Sequence, residues 1–495
     1  MKIDFIEVAF PKTGGLVVFS FDDGPFSGFA KQVDEAGNGQ LTRAAKLGKY
    51  NGRFGQHVMV VAPVGIEASY LLLVGLGKAN ELDALKARKI GGKLITEFLA
   101  QGETAVAIAV DVAQSSSLNA ANLAANITFG ACLRHHRFEK YRTGQRRYRK
   151  STVDTLQVMT EMPLETEQSF TPMREVAMGV LLTRDLVTEP GNVIYPESYI
   201  EQIDALRDLG VEIEVLGANE MRQQGMGALL GVAQGSEREP QLAVMHWRGG
   251  AAEEAPVAFV GKGVTFDSGG ISLKAVKGME EMKYDMAGSA VVVGLMKALA
   301  GRKAKVNVVG VVGLVENMPS GRAQRPGDVV TSMSGQTIEV INTDCEGRLV
   351  LADALWYTQH TYRPRCMIDL ATLTYAVIAA LGSEFAGVFS NDDGLVEALT
   401  EAGGAVGEPV WRLPLTQRFD KLIDSEIADM KNCSDRPGDA IMAAQFLQRF
   451  VNGVPWVHID IAGTAWKRES SNLARKGATG YGVQLLNQFV LDNFE

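Results

Sequence analysis

Three short runs, KVNVVGVVGL, CMIDLATLT and WVHIDIAG, are apolar on both faces of any strand they form. A strand with no polar face must be covered on both sides, as in a parallel sheet flanked by helices. VEIEVL, LAVMHW and PVAFVGKG add strand candidates before them. AGSAVVVGLMKALA and LVLADALWY read as helices between strands. This region is therefore an α/β domain with a helix-flanked, mainly parallel central sheet.

The chain has 495 residues, more than one hydrophobic core serves, so two domains are expected. Residues 1 to about 130 repeat the alternation on a smaller scale. HVMVVAP, YLLLVGLG and TAVAIAVDV read as buried strands, and LDALKARKIGGKLITEFLA as an amphipathic helix. The division is a small N-terminal α/β domain over 1–155 and a larger α/β domain over 165–495. The junction falls at about 150–170, where the basic stretch RHHRFEKYRTGQRRYRK gives way to polar and then acidic residues.

Composition excludes several classes. A net charge of −9 gives no global reason to expect nucleic acid or anionic membranes as partners. No apolar run reaches the roughly 18 residues of a membrane span. MKIDFIEVAF carries Asp4 and Glu7 and lacks a secretory core. Four cysteines without a CxxC pair read as reduced thiols of a cytoplasmic protein. The stretch 134–150 holds eight Lys or Arg. It reads as a solvated junction or subunit contact, or as a nucleic-acid patch whose binding would be salt-sensitive.

Chemistry gathers in three segments: GKGVTFDSGGISLK (261–274), GMEEMKYDMAG (278–288) and NTDCEGRL (342–349). Lys262 follows the strand PVAFVG, and Asp267 stands beside Ser268, Gly269 and Gly270. Asp285 precedes a helix of small residues. Charges beside such apolar elements are costly unless paired or metal-bound. Asp267, Asp285, Asp344 and Glu346 therefore read either as ligands of divalent cations or as ion-pair partners of Lys262, Lys274 and Arg348. DSGG also occurs around serine-protease nucleophiles, but none of the six histidines stands in the matching motif. No HExxH is present. Met279, Met282 and Met286 at helical spacing read as packing, and His458 as a hydrogen-bonded core or interface residue.

In order and spacing these segments resemble the leucyl aminopeptidase family of cytosolic metallopeptidases. NTDCEGRL is similar to the family signature NTDAEGRL with one change, and VGKGVTFDSGGISLK and MKYDMAG resemble the other two motifs. RDLVTEPGNVIYP and DLATLT look like further family segments, and the resemblance covers about 165 to 490; it implies that 165–495 is the catalytic domain and 1–155 the variable N-terminal domain, regulatory or oligomer-supporting. It implies an aminopeptidase that releases N-terminal residues, with leucine-type preference, from short peptides through a water activated by two metal ions, Mn2+ or Zn2+. It implies one metal on Lys262, Asp267, Asp285 and Glu346, and the other on Asp267, Asp344 and Glu346. Lys274 and Arg348 would be catalytic, Lys274 on the oxyanion and Arg348 holding bicarbonate. Met282, Thr372 and Tyr375 would line the substrate pocket, and the family's hexamer is the implied assembly. The alternative is a DNA-binding regulatory protein with secondary peptidase activity.

Two positions depart from the family pattern. Tyr375 stands where ATLTGA has glycine, which predicts a narrower pocket and smaller first residues. Cys345 stands where the signature has alanine. If NTDCE is extended, Asp344 and Glu346 face one way and Cys345 turns the other way, into packing.

Overall fold

The computed structural model describes every residue except 23, 112–117, 144–152 and 435. The chain divides into two compact units, Met1–Ala177 with Ser470–Arg475, and Met178–Glu469 with Lys476–Glu495. The division falls inside the helix Pro163–Thr188. Among the described residues, no helix is long and apolar enough to cross a membrane.

The first unit holds a six-stranded sheet: β1 (Lys2–Ile6), β2 (Gly15–Ser20), β3 (His57–Val61), β4 (Tyr70–Gly75), β5 (Ala105–Val110) and β6 (Thr155–Thr160), in the order β1-β6-β5-β2-β4-β3. Only β3 runs antiparallel to its neighbour. Residues of β2 alternate between two cores. Val17 packs toward the helices Ala84–Gln101 and Ala120–His135, while Leu16 and Val18 pack toward Gly28–Ala36 and Gln40–Leu47. The first pair of helices meets at glycines: a Cβ on Gly91 would lie 1.8 Å from the Ile127 carbonyl oxygen. The strands read from the sequence form β3, β4 and β5. β6 lies in the stretch read as a junction; Leu156 and Val158 are buried and β1 and β5 pair on either side.

The second unit is built on β7 (Glu212–Leu216), β8 (Gln241–Arg248), β9 (Val257–Asp267), β10 (Asn307–Asn317), β11 (Val329–Thr331), β12 (Thr337–Glu339), β13 (Cys366–Ala371), β14 (Ala386–Ser390), β15 (Val410–Arg412), β16 (Met430–Lys431) and β17 (Trp456–Asp460). Eight of them form the central sheet β15-β14-β17-β13-β9-β10-β8-β7. Its middle, β17-β13-β9-β10, is parallel throughout, which explains the two-faced apolar runs. β11, β12 and β16 make a separate small sheet. TIEVI, just before NTDCE, therefore belongs to that sheet and not to the central one.

β9 is covered on both faces. Ala258, Val260 and Val264 share a core with Leu349 and Val350 of the helix Gly347–Tyr362. On the other face Gly261 lies against the helix Ala287–Gly301, where a Cβ would meet Ser289 Cα at 2.5 Å. β9 continues past the PVAFVG run, so Lys262 and Asp267 both lie within it. Residues five apart in a regular strand face opposite ways. Here the register slips: β10 advances from Val315 to Asn317 while β9 advances from Val264 to Asp267. The extra β9 residue is a bulge, and it returns Asp267 to the face that carries Lys262.

Candidate metal centre

The site forms where β9 and β13 reach their carboxyl ends and three loops converge. After Asp267 the chain turns through Gly269 and Gly270, at φ +88° and +66°, a region that favours glycine. Thr343 fastens this turn to the NTDCE segment: its hydroxyl donates to Gly269 O at 2.6 Å and accepts from Ser272 N at 2.8 Å. Asn317 Nδ2 holds Asp267 Oδ1 at 2.8 Å. Gly347 is required by a close approach, since a Cβ there would lie 2.5 Å from Lys262 Cε.

The two lysines divide the four acids. Lys262 Nζ lies 2.7 Å from Asp285 Oδ2 and 2.8 Å from Glu346 Oε1, and donates to Thr372 O at 3.0 Å. Lys274 Nζ lies 2.7 Å from Asp267 Oδ2 and 2.5 Å from Asp344 Oδ1. Lys262, Asp267, Asp285 and Glu346 are buried, and Asp344 is half-buried. One oxygen from each of Asp267, Asp344 and Glu346 falls within a 4.8 Å cluster. At such spacing each pair of like charges repels by about 3–4 kcal/mol at an effective dielectric of about 20.

The titration behaviour follows. Burial disfavours a charge on Lys262, but Asp285, Glu346 and Asp267 outweigh it and hold its pKa above the usual lysine range. Lys274 is likewise raised, its burial outweighed by Asp267 and the other acids. Burial, then repulsion from Glu346, pushes Asp267 up to about 6. Burial also raises Asp285 and Asp344. For Glu346 burial is overcome by Lys262 and Lys274, and its pKa falls.

The donor set fits divalent cations. Four carboxylates against two ammoniums leave two negative charges in a mostly buried cluster. Glu346 Oε2 is buried with no hydrogen-bond partner among the described residues, a costly state for a carboxylate oxygen. Oxygen ligands in this number suit hard or borderline ions.

Arg348 is buried in the first turn of Gly347–Tyr362. Its Nη1 donates to Asn432 O at 2.7 Å, its Nη2 reaches Asp439 Oδ1 at 3.5 Å, and its Nε has no partner among the described residues. A cavity of about 230 Å³ joins Arg348 to Lys274, Asp267, Asp285 and Asp344. Met282, Thr372 and Tyr375 line it too. The Thr372 hydroxyl donates to Asp285 Oδ1 at 2.7 Å. Tyr375 is exposed; its hydroxyl meets Met282 Sδ at 3.9 Å and its ring lies 5.8 Å from Lys274 Nζ. A larger groove of about 780 Å³, lined by Arg222, Arg238, Arg322 and Arg325, shares no lining residue with this cavity.

Of the site residues named from the sequence, Asp267, Lys274, Met282, Asp285, Asp344, Arg348, Thr372 and Tyr375 line this cavity; Lys262 and Glu346 do not line it and are joined to it through the Lys262–Asp285 pair. Sequence reasoning missed Asn317, Thr343, Asn432 and Asp439, whose roles depend on contacts distant along the chain. His458 is the core residue expected, buried with Nδ1 at 2.6 Å from Asp369 Oδ1. Cys345 corrects an expectation. NTDCE is a turn, with Cys345 N donating to Asn342 O at 3.2 Å, so strand alternation does not apply. Cys345 is half-buried and lines the cavity together with Cys433. Of the basic stretch, Arg134 is buried and Arg137 pairs with Glu139 at 2.7 Å; residues 144–150 lie outside the described residues.

Comparison with known proteins fits this geometry. Residues 181–487 match the model of the cytosol aminopeptidase family, catalytic domain, and 17–145 match that family's N-terminal domain. A Caulobacter vibrioides protein named "Probable cytosol aminopeptidase" is 48% identical, covering 100% of both chains. One of the same name from Wolbachia pipientis is 51% identical over 90% of this chain and 88% of its own. Among solved structures, a tomato leucine aminopeptidase variant superposes with TM-score 0.87 at 32% identity, over 100% of this chain and 97% of that one. A bottromycin maturation enzyme in complex with Mn superposes with TM-score 0.85 at 30% identity, over 98% and 100%. A helix-flanked α/β sheet carrying these motifs defines a peptidase of the aminopeptidase class. The chain belongs to the cytosol aminopeptidase family.

Proposed function

We propose that this aminopeptidase removes single N-terminal residues from short peptides, in the cytoplasm and as a homohexamer, with two divalent ions per subunit, Mn2+ or Zn2+. Lys262, Asp267, Asp285 and Glu346 would hold one ion; Asp267, Asp344 and Glu346 would hold the other. Such ions acidify a water, polarise the scissile carbonyl and anchor the free amino group. The observation that carries the reading is the charge imbalance of four acids against two lysines, with Glu346 Oε2 left bare.

The remaining steps belong to this chain's own side chains. Lys262 must release a proton from Nζ to act as a ligand, so metal uptake is coupled to proton loss. In the metal-free chain the acids outweigh burial and hold Lys274 protonated. With Asp267 and Asp344 engaged as ligands, Lys274 Nζ would be free to donate to the developing oxyanion. Arg348, fixed through Nη1 and Nη2, would hold a bicarbonate-like anion through Nε, and such an anion would supply a proton relay. Thr372 orients Lys262 through its carbonyl and Asp285 through its hydroxyl.

Tyr375 sets its hydroxyl 3.9 Å from Met282 Sδ, which narrows the space for the first side chain and favours smaller residues over leucine. The DNA-binding alternative has no such support, since the described part of the basic stretch is partly buried or paired.

Leu-p-nitroanilide hydrolysis tests the proposal. Activity is lost with a chelator and returns on adding Mn2+ or Zn2+. Activity indifferent to the chelator overturns it.

A further inference from the structure

Two of the four cysteines meet beside the metal centre. Cys345 separates Asp344 from Glu346, and Cys433 follows Asn432. Asn432 clamps the two segments together. Its Oδ1 accepts from Ile341 N at 2.8 Å, and its Nδ2 donates to Asn342 O at 2.8 Å and to Cys345 O at 3.2 Å. Held this way the two cysteines come to the wall of one cavity, where each thiol perturbs the other. Both are half-buried, and both line the cavity that holds Lys274, Asp344 and Arg348. Cys132 and Cys366 do not line this cavity, and burial pushes both thiols up to about 12.

We infer that Cys345 and Cys433 are a peroxide-reactive dithiol site whose reversible disulfide shuts the aminopeptidase site. The shutting-off rests on the metallopeptidase reading above; the disulfide itself does not.

In the reaction, the Cys433 sulfur attacks one oxygen of hydrogen peroxide. The O–O bond breaks, Cys433 becomes a sulfenic acid, and the departing hydroxide takes the thiol proton as water. The Cys345 sulfur then attacks the Cys433 sulfur. The S–S bond forms, the S–O bond breaks, and hydroxide leaves with the Cys345 proton as a second water. Two thiols and one peroxide give one disulfide and two waters; the sulfurs lose two electrons and the peroxide gains them. The order of attack agrees with the Cys433 thiol being pulled down to about 7 by the Cys345 hydrogen bond and by Arg348.

The consequence is mechanical. A disulfide brings sulfurs to about 2.05 Å with a dihedral near 90°, much closer than a hydrogen-bonded pair. The shift acts on the residue between Asp344 and Glu346, and on the segment whose Asn432 carbonyl anchors Arg348. Displacements of about 1 Å at a catalytic constellation can cost roughly 100-fold in rate.

The test treats full-length, metal-loaded protein with hydrogen peroxide, blocks free thiols and digests without reduction. A Cys345–Cys433 linked peptide is expected, absent from Cys433→Ser and from Cys345→Ala. Hydrolysis of Leu-p-nitroanilide should fall about tenfold or more and return with dithiothreitol. Cys433→Ser, compared with its own untreated rate, should show no reductant-reversible loss. Absence of the linked peptide overturns the site. A linked peptide with unchanged rate, or a loss that dithiothreitol does not reverse, overturns the shutting-off. If untreated protein hydrolyses nothing, the metallopeptidase reading fails, while the linked peptide still decides the dithiol site.

Discussion

The two sheets of this chain share an architecture and differ in what is buried around them. In the N-terminal unit the buried polar side chains among the described residues are Ser20, Asn126, Thr128, Thr160 and Thr166, with Arg134 the one charge. In the second unit Lys262, Asp267, Asp285, Glu346 and Arg348 are all buried. Helix-covered parallel sheets stabilise both units through apolar packing. The charges of the second add repulsion that packing does not offset and that bound cations would. The sheet is the scaffold, and function lies in ionisable groups set at strand ends.

The largest way to break this contrast is Asp285→Ala. It should remove one metal and lower kcat/KM by at least about a thousandfold; metal analysis together with Leu-p-nitroanilide kinetics reads both, and full activity would break the ligand assignment. Lys274→Met comes next, with a loss of about 100- to 1000-fold expected for a missing oxyanion donor and metal content retained. Tyr375→Gly should move preference toward leucine and phenylalanine by roughly tenfold or more. A panel of aminoacyl-amides reads this, and undiminished turnover of Leu and Phe substrates by the unaltered enzyme would sink the narrowing.

A proton competes with the metal at Asp267, whose pKa is pushed up to about 6. Mn2+ affinity, titrated calorimetrically, should weaken as pH falls below about 6. The sign for stability is opposite. The metal-free folded chain holds that proton more tightly than the unfolded chain, so Asp267 makes folding less favourable as pH rises through about 4 to 6. The smallest effect on rate is expected in the first unit. Leu72→Ala in its core should cost about 2–5 kcal/mol in stability and leave the rate per folded molecule unchanged.

Much of this was legible beforehand. KVNVVGVVGL, PVAFVGKG, CMIDLATLT and WVHIDIAG became β10, β9, β13 and β17, because a run apolar on both faces has few other places to go. The carboxylates and lysines were legible because each sits at the edge of an apolar element. β6 was not, since its alternation matters only once β1 and β5 flank it. Asn317, Thr343 and Asn432 were not, since hydrogen bonds to residues far along the chain leave no local periodicity.

The sequence by itself determined the donor chemistry, the alternation of strands and helices, and the family. Only the tertiary structure decided which groups face one another. Simple alternation separates Lys262 from Asp267; pairing with β10 introduces the bulge that reunites them. Strand logic turns Cys345 away; its segment is a turn held by Asn432, and Cys345 lines the same cavity as Cys433. Local pattern specifies residue type and period. Orientation at a strand end depends on the neighbouring strand and on chain that returns much later, so it is settled only on closure of the fold.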